Sequence, residues 1–442
     1  MRTVVLATAT SMLVAAATLG AQTPTADPVK TLVGRLALQS YQGTIKGLTQ
    51  FGDRRQGTDR NRAALAWIEA QLKSYGCSNI ERITYTYAGR QLVSDSTYRV
   101  DSAAAVAKGA PVPARPRSLQ PAGGGGRAGG GDTTAQRGRG GAGAAGAAAQ
   151  GGGRGRGGNP VKGFTARSGV NTNPMLQPDT VLRALDAQWD TPGERQEVYC
   201  TKVGTTHPEE MYLVAGHFDG HGFGAAANDD GSGTALVMEL ARILNAPDVQ
   251  VERSIRFALW NNEETGLNGA RAYIDQRKEL QGKEDPAGSG KYPEPKWLGM
   301  IQHDMMMWDH GMPGPDGKVN PEQRREADVN VEFAGTSKLA AESQKLAWFF
   351  RTMNDRYATD YPVAVGDRMS NTDSDAFRDL VPSISLRENE RLAHTGSGWN
   401  PTWHQPIDVF STFSDKDFLL GLNAAQTTLA AVAQLAGATV RP

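Results

Sequence analysis

The chain has 442 residues, with 47 lysines and arginines balanced by 47 aspartates and glutamates. Because this balance produces no net field toward nucleic acid or a membrane surface, we expect neither as a partner. The two cysteines, Cys77 and Cys200, are too few for a disulfide framework or a cysteine-based zinc site. Either a single disulfide or two unpaired buried cysteines is compatible with the sequence.

Residues 1–21 have the pattern of a secretory signal peptide. Arg2 supplies the positive start, an apolar run extends to Leu19, and the small residues Gly20 and Ala21 follow. The apolar run is short for a membrane span, although an uncleaved anchor is the alternative. We therefore predict a secreted or periplasmic protein with no stable membrane association after cleavage, in a compartment that permits disulfides.

Composition divides the mature chain into three parts. Residues 28–102 contain a helical pattern over 28–51, a helix over 60–75 that Asp59 can cap, and a strand over 80–87. Residues 103–163 are dominated by Gly, Ala, Pro and Arg, and they have no apolar face whose burial could offset the entropy of ordering. We predict a disordered insertion there, within one catalytic domain formed by residues 28–102 and 164–442.

Apolar runs alternate with helical patterns after the insertion. Strands are predicted at residues 197–201, 211–216, 254–260, 298–304 and 382–386. Helices are predicted at residues 266–276, 337–357 and 415–435, and after Ser232, which can act as an N-cap. Because the strands are almost entirely apolar, this alternation predicts an α/β fold: a mostly parallel, mixed central sheet with helices on both faces.

Acidic and imidazole side chains follow the predicted strands, and ligands bind at that edge of α/β sheets. The residues concerned lie at or just beyond strand ends, in the loop before the Ser232 helix, and in one late loop: His217, Asp219, Asp229, Glu263, Glu264, Asp304 and His404. Mixed nitrogen and oxygen donors suit zinc, often as a close pair of ions bridged by a carboxylate. The sequence therefore predicts a metal site at this edge.

The motifs around these residues match a known family. They are GDRRQGT, GHFD, AANDDGSG, NNEETGLNGARAY, a strand ending in HD at Asp304, and HQPID. With these motifs the chain resembles the secreted double-zinc exopeptidases, which include bacterial leucyl aminopeptidase, aminopeptidase Y and glutamate carboxypeptidase-like proteins. The resemblance covers residues 48–87 and extends from residue 197 to the end of the chain.

The resemblance implies two zinc ions per chain with five protein ligands: His217, Asp229, Glu264, Asp304 and His404. His217 and Glu264 would bind opposite ions, and Asp229 would bridge them. Glu263 would act as the general base, and Asp219 would orient the imidazole of His217. The resemblance also implies a cis peptide bond after Asp229.

Some positions depart from the family pattern or have two interpretations. Trp403 stands where relatives often have tyrosine, so no hydroxyl is supplied there, and Thr372-Asp373-Ser374 replaces Ser-Asp-His. His221 could lie at the edge of the pocket, whereas His303 should face away from it. A loop that contains His394 and Trp399 could form a wall of the cleft.

The leading interpretation is an exported zinc aminopeptidase that acts on peptides. A carboxypeptidase on the same scaffold would need a cation for the terminal carboxylate, and Arg387 could supply it. A glutaminyl cyclase would use one zinc, which the presence of both His217 and Asp304 argues against. A binding domain without activity should lack ligands or the base, but all five ligand positions and Glu263 are present.

Overall fold

The computed structural model describes residues 27–89, 170–311, 318–388 and 400–441. The predicted signal peptide and the Gly-rich insertion lie outside these residues. The strands are β1 (Ile80–Tyr87), β2 (Gly193–Lys202), β3 (His207–His217), β4 (Val249–Gln250), β5 (Arg253–Trp260), β6 (Lys296–His303), β7 (Val329–Phe333), β8 (Val363–Gly366), β9 (Ser383–Arg387) and β10 (Thr439–Val440). The helices are α1 (Pro28–Val33), α2 (Leu38–Thr49), α3 (Asp59–Ser74), α4 (Thr180–Leu185), α5 (Gly231–Leu244), α6 (Asn268–Arg277), α7 (Ala340–Tyr357), α8 (Ser374–Phe377) and α9 (Asp415–Leu435).

Eight of these strands form one mixed sheet in the order β1-β2-β5-β3-β6-β9-β7-β8. The four central strands, β5, β3, β6 and β9, run parallel to one another, while β2 joins β5 and β7 joins β9 in antiparallel pairs. The predicted α/β fold with a mostly parallel, mixed sheet is therefore confirmed. The parallel centre brings the carboxyl ends of four strands to one edge.

Helices cover both faces of the sheet because the central strands are largely apolar and their successive residues point to opposite faces. Val214 of β3 belongs to the larger core, with α2, α3, α5 and α9, while its neighbour Leu213 belongs to the smaller core, with α6 and α8. Helix α5 is buried along almost its whole length, against β3 and β5 on one side and α2 and α9 on the other. The loop that precedes α5 is therefore held rigidly at the edge of the sheet.

Several helix boundaries differ from the prediction, and the structure explains three of these differences. The first helical pattern is divided into α1 and α2, because the chain turns at Gly34 before the second helix begins. Thr58 rather than Asp59 caps α3, since its side chain accepts from the backbone N–H of Asn61. Likewise Asp230, not Ser232, caps α5, because the Asp230 carboxylate accepts from the N–H of Gly233.

Helix α9 is both strongly apolar and largely buried inside the protein. Within the described ranges it is the helix whose length and apolar composition would allow it to cross a membrane, yet 78% of the apolar window is buried inside the protein. Its apolar residues pack into the larger core beside α5 and α7. The hydropathy of α9 is thus explained by its place in the core.

Cys77 and Cys200 form a disulfide bond between the segment after α3 and strand β2. The bond links residues 123 positions apart. Because such a crosslink restricts the unfolded chain, replacing both cysteines with alanine should lower the free energy of unfolding by about 2–5 kcal/mol. Urea denaturation of the wild type and the double variant measures this difference. The variant should be insensitive to reductant, and equal stability of the two proteins would contradict the prediction.

Candidate metal centre

The candidate site lies where the parallel strands β5, β3 and β6 end. His217 is the last residue of β3, and Asp304 directly follows β6. Glu263 and Glu264 follow β5 after only two residues. Because these strands are neighbours and run in one direction, their ends bring the imidazole and the carboxylates to one place.

One group of ligand-type atoms surrounds His217 and is called the first cluster. The Nε2 atom of His217 is 3.6 Å from Oδ1 of Asp229 and 3.9 Å from Oδ1 of Asp304. A carboxylate oxygen of Glu263 also lies within 4.8 Å of the His217 and Asp304 ligand atoms. We define the first cluster as His217, Asp304 and Oδ1 of Asp229.

A second group lies on the other side of Asp229 and is called the second cluster. The Nε2 atom of His404 is 3.0 Å from Oδ2 of Asp229 and 2.9 Å from Oε2 of Glu264. The second cluster is therefore His404, Glu264 and Oδ2 of Asp229. Since the two oxygens of Asp229 belong to different clusters, this carboxylate joins them, and the Asp229–Asp230 peptide bond is cis, as the resemblance implied.

Asp219 connects the first cluster with the loop that carries Glu263. Its backbone carbonyl accepts from Nδ1 of His217 at 3.0 Å, while its carboxylate Oδ1 is 3.7 Å from the same nitrogen. Oδ1 accepts a hydrogen bond from the backbone N–H of Glu263 at 3.0 Å. Asp219 thus fixes the imidazole through its main chain and the Glu263 loop through its side chain.

Two further carboxylates, which the sequence did not single out, hold the ligand loops together. Asp408 accepts from the backbone N–H groups of Asn228 at 2.8 Å and of Asp229 at 3.1 Å. Asp230 accepts from the N–H of His217 at 3.1 Å and from the residue after Asp304 at 3.2 Å. Asp230 thus links the three segments of the first cluster, and Asp408, four residues after His404, links the His404 loop to the Asp229 loop.

Arg387 is occupied inside the site and is not available to a substrate. Its guanidinium donates to Oδ2 of Asp304 at 2.7 Å, and the residue is only 2% exposed. The interpretation of Arg387 as the holder of a substrate carboxylate is therefore wrong. Its role is to fix one oxygen of Asp304, which leaves Oδ1 directed toward His217.

The charges of the clusters favour a cation between them. Burial raises the pKa of Asp229, and the charge of Glu264 raises it further. Burial lowers the pKa of His404, but the charges of Glu264 and Asp229 outweigh this effect and raise it to about 10. Positive charge is thus stabilised where the imidazole and carboxylates meet, and a metal ion would compete with protons there.

The remaining candidates lie in different places. His303 faces away: its Nδ1 is 3.0 Å from the carbonyl of Ala215 and its Nε2 is 2.9 Å from Oγ1 of Thr428. His221 lies in the pocket, with Nε2 at 3.0 Å from Oε2 of Glu264. His394 and Trp399 fall outside the described residues.

A pocket of about 650 Å³ opens onto both clusters. Its wall includes Trp403 and Met305, and it also includes Arg271, an exposed residue of α6. The general base predicted from the resemblance, Glu263, lines the same pocket. The pocket gives a ligand direct access to the carboxylate and imidazole groups.

The fold and the two clusters that share Asp229 define an α/β protein with a candidate dinuclear metal site. Solved structures with the same fold include an aminopeptidase from Aneurinibacillus sp. strain AM-1, with TM-score 0.53 and 17% identity over 94% of this chain and 96% of that one. The zinc aminopeptidase BSAP from Bacillus subtilis has TM-score 0.54 and 15% identity, covering 91% of this chain and 95% of that one. At these identities the likeness concerns the fold.

The model of peptidase family M28 matches residues 197–428, more than half of the chain. The chain belongs to peptidase family M28, which confirms the family resemblance seen in the motifs. Aminopeptidase YwaD of Bacillus subtilis is 41% identical over 75 residues, and carboxypeptidase Q of Mus musculus is 36% identical over 76 residues. Each alignment covers 17% of this chain and 16% of the relative.

Proposed function

We propose that the protein is an exported metallo-exopeptidase that removes N-terminal residues from peptides with two zinc ions and Glu263 as general base. The observation that carries the proposal is the arrangement of Asp229, whose two oxygens belong to separate clusters beside a buried glutamate in one open pocket. Membership of peptidase family M28 supports hydrolysis of peptides.

The residues of the two clusters fit a pair of zinc ions. Among the described residues, Oδ2 of Asp229 and Oε1 of Glu264 are buried without a hydrogen-bond partner, as is expected of atoms that bind a metal. Imidazole nitrogen and carboxylate oxygen are donors that zinc accepts. When bound, zinc would polarise the scissile carbonyl and lower the pKa of a coordinated water to about 7.

Glu263 has the position that a general base requires. It is buried beside the first cluster, its backbone is fixed by Asp219, and it faces the pocket. Burial raises the pKa of its carboxyl group well above the usual range, so the group is suited to accept a proton. We propose that Glu263 takes the proton of the attacking water and passes it to the leaving amine.

The ligand groups of the pocket favour a free N-terminus at the site. Asp229, Glu263, Glu264 and Asp304 line the pocket, and a zinc ion held among them would bind the nitrogen of a free α-amine. Arg387 is buried against Asp304 and is not available for a terminal carboxylate. These features support the aminopeptidase over the carboxypeptidase.

The carboxypeptidase remains the second candidate because of Arg271. This residue lines the pocket, is exposed, and belongs to helix α6, which follows the Glu263 loop. A guanidinium at this place could bind a carboxylate of the substrate in a bidentate manner. One of the relatives is carboxypeptidase Q, although its alignment with this chain covers only 16% of its own length.

Export and the single catalytic domain belong to the same proposal. The signal-like pattern of residues 1–21 and the disulfide between Cys77 and Cys200 support an oxidising compartment. Strand β1 pairs with β2 across the predicted insertion, which supports one domain built from both sides of it.

A panel of peptides with each end free or blocked tests the proposed function. We expect chelator-sensitive release of the first residue from peptides with a free amine, including peptides whose carboxyl end is amidated. N-acetylated peptides should not be cleaved. Cleavage of N-acetylated peptides from a free carboxyl end, abolished by Arg271→Ala, would establish the carboxypeptidase instead. Cyclisation of N-terminal glutamine without hydrolysis would establish the cyclase.

A further inference from the structure

His221 lies closer to the second cluster than a residue at the edge of a pocket would. Its Nε2 atom is 3.0 Å from Oε2 of Glu264, the same oxygen that is 2.9 Å from Nε2 of His404. The ligand atoms of these three residues all lie within 4.8 Å of one another. Three donors from three separate segments of the chain therefore meet at one point.

The contact between His221 and Glu264 does not have the geometry of a hydrogen bond. Within the described part of the chain, the Nε2 atom of His221 is buried without a hydrogen-bond partner, although the carboxylate oxygen is only 3.0 Å away. A buried imidazole nitrogen without a partner is unfavourable unless something else satisfies it. An imidazole nitrogen and a carboxylate oxygen that lie this close together without hydrogen-bond geometry are arranged as ligands of one metal ion.

The backbone holds the His221 ring in this place. The imidazole packs edge-on against that of His404, with ring centroids 4.2 Å apart and an angle of 89° between the planes. The next residue, Gly222, has a φ of +105°, and a Cβ atom there would collide with the carbonyl of His404. Asn171 binds both segments, donating to the carbonyls of Gly222 at 3.1 Å and His404 at 3.0 Å.

We propose that His221 is a fourth protein ligand of the second metal position, beside His404, Glu264 and Oδ2 of Asp229. This inference rests on the proposed dinuclear site and adds a residue that the family pattern did not assign. Four protein donors are the number that zinc takes in closed sites, whereas three leave a position open. The first cluster, with His217, Asp304 and Asp229, would then be the position that exchanges water and substrate.

The proposal predicts that the two metal positions differ in their affinity for zinc, and this difference can be measured without an activity assay. The full chain is stripped of metal and titrated with zinc against a chromophoric chelator, and bound zinc is counted by mass spectrometry. We expect the wild type to bind two ions, one more tightly. The His221→Phe variant keeps a ring of similar shape without a ligand atom. It should lower the affinity for one zinc ion by at least about tenfold, which is the lower limit for the loss of even an outer partner of a metal ligand.

Two further variants make the result specific. His221→Glu replaces the imidazole with a carboxylate of similar reach, which is also a zinc ligand, and should restore part of the affinity that His221→Phe loses. His207→Phe changes a histidine at the start of β3 whose side chain is 41% exposed, and it should bind both ions as the wild type does. Circular dichroism verifies that each variant is folded.

The outcomes separate this inference from the proposed function. If His221→Phe binds both zinc ions with wild-type affinity, His221 is not a ligand and the inference is overturned, whatever happens to turnover. A wild type that binds no zinc overturns the proposed dinuclear site itself. A selective loss of one ion in His221→Phe, restored in part by His221→Glu, supports both.

Discussion

We expect the Glu263→Gln variant to fold, to retain both of the proposed metal ions, and to lose about 10²–10⁴-fold in kcat, the usual contribution of a general acid–base group. Glutamine has nearly the same size and keeps the backbone hydrogen bond to Asp219, so the pocket should not change. It cannot take a proton from the attacking water. Turnover of an aminoacyl anilide, with zinc content measured on the same sample, tests this result.

The adjacent residue supplies the matched control. Glu264 is also buried in the pocket, but its carboxylate is 2.9 Å from Nε2 of His404 and belongs to the second cluster. Glu264→Gln should therefore lose metal from one position, unlike Glu263→Gln. If Glu263→Gln lost metal instead, Glu263 would be a ligand of the first cluster, which its proximity to His217 and Asp304 would allow. Near wild-type turnover of Glu263→Gln would remove it from the role of base.

The second large effect is expected for Asp229→Ala. The two oxygens of Asp229 reach both clusters, Oδ1 toward His217 and Oδ2 toward His404. Its removal should lower the zinc affinity of both positions by more than about 100-fold, since the loss of an outer partner of a metal ligand alone lowers metal affinity by about 10–100-fold. Activity should then fall to that of the protein treated with chelator.

A thermal shift measures this change independently of activity. Zinc that binds only the folded state stabilises it by an amount that grows with the ratio of the zinc concentration to the dissociation constant, so added zinc should raise the Tm of the wild type but not that of Asp229→Ala. Asp367→Ala, at an aspartate whose side chain is 68% exposed, should respond as the wild type does. An equal response of Asp229→Ala would show that Asp229 does not hold the metals.

The central strands could be predicted from the sequence because each is a nearly continuous apolar run that is buried on both faces. Strands β7 and β8 were not predicted. They are short, and β8 is only partly buried along most of its length. Their strand structure depends on pairing with β9 and with each other, which no local pattern records.

The helix caps show a limit of local patterns. Asp230 and Ser232 are both good N-cap residues, and the sequence alone favoured Ser232 next to the apolar stripe. In the structure the Ser232 hydroxyl donates to the carbonyl of Asn228 at 2.8 Å. The Asp230 carboxylate instead reaches three backbone N–H groups on three segments, so its position depends on tertiary structure.

The chemical groups of the site could be located in the sequence because they follow the ends of apolar strands, but their partners could not. The pairing of Arg387 with Asp304 joins the ends of β6 and β9, which are neighbours only in the folded sheet. Without that contact Arg387 was interpreted as a free cation. His221 was likewise a loop histidine until folding brought it against Glu264 and His404.

Anomalous diffraction from crystals of the full chain grown with zinc tests the dinuclear site. We expect two peaks at the zinc absorption edge, one on each side of the Asp229 carboxylate. One should lie about 2.0–2.2 Å from ligand atoms of His217 and Asp304, and the other at the same distance from those of His404 and Glu264. A single peak, or peaks that do not share Asp229, would contradict the dinuclear site.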